Sequence, residues 1–78
     1  AMFDKVKFSK QVKFKREFSF ASVRGAAKKI GISAATLCRI ENGAAPDIDS
    51  FVKICQWAGW EKKCDFFFVK NPADLDEF

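Results

Sequence analysis

Seventy-eight residues, 49% of them hydrophobic with ten Phe and two Trp, make one small domain whose core requires neither disulfide nor metal. No run of about 18 apolar residues is present to span a bilayer. Asp4, Lys5, Lys7 and Lys10 stand where the apolar part of a secretory signal belongs, so none is expected. The net charge of +4 is unevenly spread: residues 1–40 carry ten Lys or Arg against two acids, and residues 41–78 carry four Lys against eight acids. This split predicts a basic face suited to a polyanion.

Cys38, Cys55 and Cys64 are odd in number, form no CxxC pair and have no His beside them, so a structural zinc site is not expected. Reduced cysteines and a cytoplasmic location are expected instead. There is also no Tyr, no Gly-rich phosphate loop and no nucleophile set beside a base, which argues against an enzyme and against a bound cofactor.

In chain order, the first segment carries two signals. Val6, Phe8, Val12, Phe14, Phe18 and Phe20 all occupy even positions, as in a strand. Phe8 with Val12 and Phe14 with Phe18 are also i, i+4 pairs, as in a helix. A short strand over 3–8 and a helix over 10–18 capped by Ser9 satisfy both. In residues 21–43, ASVRGAAKKIGISAATLCRIENG, the positions Val23, Ala26, Ala27 and Ile30 form one apolar helical stripe. Ser22 is its N-cap and Gly31 its left-handed end. Ser33 caps a second short helix with Leu37 and Ile40 buried; Asn42-Gly43 ends it, and Pro46 prevents it continuing. Two short helices joined by a three-residue turn around a glycine are a helix-turn-helix.

A further helix follows, capped by Asp47 or Asp49 and ending at Gly59, with Ile48, Phe51, Val52, Cys55 and Ala58 as its inward stripe and Lys53 and Gln56 outward. Cys64 to Val69 reads as a final helical turn or as a strand; as a strand, its natural partner is the segment at 3–8. Residues 3–69 form the domain and residues 70–78 an acidic, Pro-broken tail. The fold class expected is mainly α, a compact bundle of four to five helices with a short terminal β-pairing.

The run from Ser22 to Trp60 resembles the Cro/repressor-like (XRE-type) helix-turn-helix family, whose fold is that of the lambda repressor domain. The resemblance rests on joint spacing: the Ser22 cap, Ala26-Ala27, the Gly31-Ile32-Ser33 turn, Leu37, Ile40-Glu41-Asn42-Gly43, and the capped helix ending at Gly59. It implies a sequence-specific DNA-binding transcriptional regulator, a repressor of bacterial or phage type, reading the major groove of double-stranded DNA as a homodimer with the helix at about 33–42. By position, Ala34, Ala35, Cys38 and Arg39 face the bases, with Arg39 bidentate to guanine. Ser22, Arg24, Ser33, Thr36 and Asn42 meet phosphates, and Lys10, Lys13, Lys28 and Lys29 add a diffuse field. Relatives often carry Gln, Asn or Arg where Ala34 and Ala35 stand, so DNA shape or a second half-site is expected to carry more of the specificity. The resemblance also implies an Arg16–Glu41 salt bridge that supports the recognition helix. Trp57, Trp60 and Phe66 to Phe68 are the expected dimer surface. The alternative reading is an antitoxin, a module whose exposed aromatics and acidic tail hold a toxin or other protein while its DNA binding serves autoregulation.

Overall fold

The computed structural model describes residues 2–62, 64–71, 73 and 75. Among them the order is β1 (Met2–Phe3), α1 (Lys5–Phe18), α2 (Val23–Ile30), α3 (Ala34–Glu41), α4 (Ile48–Ala58), a 3-10 turn (Cys64–Phe67) and β2 (Phe68–Val69). The protein is mainly helical, and the two strands pair antiparallel, Met2 opposite Val69 and Phe3 opposite Phe68. No described helix is long and apolar enough to cross a membrane.

The first helix begins earlier than its sequence suggests. The strand expected over 3–8 is only Met2–Phe3, and the helix expected over 10–18 starts at Lys5. Asp4, not Ser9, is the cap: its carboxylate accepts from the Lys7 amide at 3.0 Å. Its own amide donates to the Phe67 carbonyl, 2.6 Å away. Asp4 is thus buried, tied to both ends of the chain. Phe8 and Val12 belong to the helix and lie wholly inside it on the core side, so the i, i+4 signal governs here and not the alternation.

The middle of the chain follows its local signals. Ser22 accepts from the Gly25 amide at 3.0 Å, Ser33 from the Thr36 amide at 3.1 Å. Gly31, at φ 95°, closes α2 in the left-handed region that a side chain would strain. Ala26 and Ala27 are buried, so at these two positions only a methyl group lies between α2 and its neighbours.

α4 is rotated from the expected stripe. Asp47 caps it, and the buried residues are Ser50, Ile54 and Cys55, with Phe51 half-buried. Ile48 is 83% exposed and Val52 is exposed too. Phe51 decides this rotation: its ring meets Phe3 at 5.5 Å and Phe8 at 5.2 Å. With Phe51 turned toward the terminal β-pairing, Ile54 and Cys55 point into the helices and Ile48 cannot. Lys53 is half-buried, its ammonium shared between the Gly31 carbonyl at 3.4 Å and Asp49 at 2.9 Å.

The expected dimer surface is partly core. The 3-10 turn and the start of β2 splay three consecutive rings: Phe67 is 2% exposed, while Phe66 and Phe68 are outside. Phe67 packs edge-on against Phe8 at 5.0 Å and lies 5.3 Å from Trp60. Trp57 and Trp60 are half-buried against the same cluster. Both readings of residues 64–69 hold in part, a helical turn first and a two-residue strand after it. The proposed acidic tail lies mostly outside the described residues.

Candidate functional site

Polar contacts from α1 converge on the end of α3. Ser9, buried in α1, donates its hydroxyl to the Glu41 carbonyl at 2.7 Å. One heptad along the same helix, Arg16 grips the Glu41 carboxylate with two bonds, Nε to Oε2 at 2.7 Å and Nη2 to Oε1 at 2.9 Å. Its third donor, Nη1, reaches the Ala21 carbonyl at 2.9 Å, in the turn before α2. The bonds to Glu41 push the Arg16 guanidinium pKa upward, against a smaller opposing effect of burial. A fork of this kind fixes direction as well as distance. The last turn of α3 is therefore held from one side by α1, and its opposite side stays clear.

α3 buries Leu37, Ile40 and Glu41. Ala35, Cys38, Arg39 and Asn42 are exposed, and the Asn42 amide donates to the Cys38 sulfur at 3.6 Å. Arg39 carries the only charge on this outward strip. Ala34 departs from expectation. It is half-buried and packs against the core, because the first turn of α3 sits close to α2, and little of its methyl group is left to face outward.

The hydroxyls around the two helix starts are arranged for donation. Ser33 gives its proton to the Thr36 oxygen at 2.8 Å, which leaves the Thr36 proton for an outside acceptor. Ser22 uses a lone pair on the Gly25 amide and keeps its proton. Arg24, Lys28 and Lys29 on α2 and Lys10 and Lys13 on α1 are exposed. Helix starts, hydroxyl protons and cations suit an anion.

Sequence reasoning missed Ser9 and Asp4. Ser9 was detectable: it shares a helix face with Arg16, seven residues on, and lies next to the core residue Phe8. Asp4 had no such signal, since the cap depends on where the strand ends. Among the described residues, no three His, Cys, Asp or Glu side chains gather as a metal site requires. No protein-family model matches the chain, and no curated protein matches it at a significant level.

Proposed function

We propose that this protein is a sequence-specific DNA-binding transcriptional regulator of the Cro/repressor-like helix-turn-helix kind, a repressor without enzymatic activity, working in the cytoplasm. The observation that carries the reading is α3: held from behind by Ser9 and Arg16, with Ala35, Cys38, Arg39 and Asn42 outward. A rigid helix with a clear face is what the major groove admits. Arg39 reads guanine through O6 and N7, and Ala35 and Cys38 touch neighbouring base edges, with Ala34 contributing least. Ser22, Arg24, Ser33, Thr36 and Asn42 bind phosphates, which fixes register without reading sequence.

The active form is a homodimer, because one domain of this size buries too little DNA for tight specific binding. Two copies reach half-sites about 34 Å apart. Ile48, Ala45 and Pro46, together with Phe68, edge an apolar groove that follows on α3, and a second copy pairs there.

Fluorescence anisotropy with duplex from upstream of its own gene and a scrambled duplex, across a salt series, tests the reading. The expected result is preference for the first duplex, at two chains per site. Arg39→Ala is expected to reduce that preference by about ten- to a hundredfold, the value of one bidentate base contact. Equal, steeply salt-dependent binding to both duplexes would leave only electrostatics and overturn sequence specificity. No binding to either would overturn the DNA reading.

A further inference from the structure

α1 has a face that the other helices leave uncovered. At about 100° per residue, Ser9 and Arg16 define the side of the helix that meets α3. Lys7, Gln11, Phe14 and Phe18, spaced four, three and four residues apart, fall on the opposite side. Phe14 is 64% exposed and Phe18 71%, with their rings 6.1 Å apart. The stripe continues off the helix onto the 3-10 turn, where the Lys7 ammonium sits 3.8 Å over the half-exposed Phe66 ring. Beside it lies a groove of about 420 Å³ lined by Gln11, Trp60, Phe66 and Phe67. One amide among three aromatics makes this an apolar slot, large enough for an inserted side chain.

The helix that carries the stripe is strongly basic, while the acids Glu61 and Asp65 stand next in sequence to the groove residues Trp60 and Phe66. α1 holds Lys5, Lys7, Lys10, Lys13, Lys15 and Arg16 against Glu17 alone, and Arg16 is occupied by Glu41. Lys10 flanks the aromatic stripe on one side and Lys15 on the other. The exposed Phe14–Phe18 pair is worth a few tenths of a kcal/mol to the helix, far too little to explain two solvated rings, so monomer stability does not account for them.

We propose that this stripe and groove dock a segment of another protein that presents apolar or aromatic anchors among Asp and Glu residues. The anchors enter the groove and lie across Phe14 and Phe18, and the carboxylates meet the lysine rim. The concave slot favours an inserting side chain over a flat lipid surface. Because the stripe faces away from α3, the partner and DNA occupy different sides of the molecule, and the proposal stands whether or not the DNA reading does.

The test is to pan the full chain against a phage-displayed library of random dodecapeptides and measure the enriched peptides by anisotropy. The expected peptides carry Phe, Leu or Trp with Asp and Glu. Their binding weakens about tenfold or more in Phe14→Ser/Phe18→Ser, as for loss of aromatic anchors, weakens with salt, and is unchanged in Arg39→Ala. The double variant alters only exposed side chains, and its thermal melt should match the wild type. No enrichment, enrichment of basic peptides, or binding that the double variant leaves intact overturns the proposal. So does either competing occupant: a self-association in sedimentation equilibrium, or binding to phosphatidylcholine–phosphatidylglycerol vesicles, that Phe14→Ser/Phe18→Ser abolishes.

Discussion

Arg16 joins segments that lie 25 residues apart, taking both oxygens of Glu41 and the Ala21 carbonyl with one planar group. Both partners of the ion pair are largely shielded, with side-chain exposures of 13% and 7%. Removing one charge strands the other, so Glu41→Gln is expected to cost about 2–3 kcal/mol in urea unfolding, somewhat below a fully buried pair because water still reaches the guanidinium. Arg16→Lys keeps the charge but loses the fork. It should restore little of the α3 geometry, and the readout is affinity in the duplex assay of the proposed function, lowered beyond what the stability loss explains. The sequence resemblance implied this pair; the fold adds the Ser9 bond that braces the same residue from the backbone side.

At the scale of the helix, caps set where each element starts and core contacts set how it is turned. α4 shows both. Ser50 donates from its hydroxyl and its amide to Asp47, which holds that carboxyl below its ordinary value of 3.8. A depressed folded value means the ionised cap contributes its stability above the unfolded value and loses it as pH falls through the folded one. Asp47→Ser, which keeps a neutral acceptor, should therefore be less stable than wild type near neutral pH. The gap should close below pH 3.8, as read from melts taken down the acid range. A constant gap across that range would mean that charge plays no part in the cap. The same helix shows the limit of periodicity: of the expected stripe Ile48, Phe51, Val52, Cys55 and Ala58, Cys55 is buried, but Ser50 and Ile54 take the inside in place of Ile48 and Val52 because Phe51 is drawn to Phe3 and Phe8.

Across the whole molecule, Phe8 is the point where the chain closes on itself. Its ring meets Phe3, Phe51, Trp60 and Phe67 within 6.1 Å, so the two ends, α4 and the 3-10 turn share one aromatic cluster around α1. Phe8→Leu keeps the site apolar but loses the edge-on contacts. It is expected to lower stability by about 1–2 kcal/mol, seen as a lower urea midpoint with an unchanged slope. A changed slope would mean that the terminal β-pairing melts separately from the bundle. The closed fold leaves α3 with its arginine on one side of the surface and the aromatic stripe of α1 on another.

By itself the sequence determined the helix-turn-helix segment, residues 21–43, because its information is local. Ser22, Ser33 and Gly31 act on backbone groups within three or four residues, and Ala26 and Ala27 state their own closeness of packing. The exposed strip of α3 followed from the same spacing, apart from Ala34. What only the tertiary structure decided lies at the two ends and on α4. Whether residues 4–8 are strand or helix depends on Asp4 meeting Phe67, some sixty residues away in the chain. The rotation of α4 and the choice of Phe67 as the buried ring among three depend likewise on aromatic contacts between chain ends. Such contacts have no period, so no local pattern encodes them.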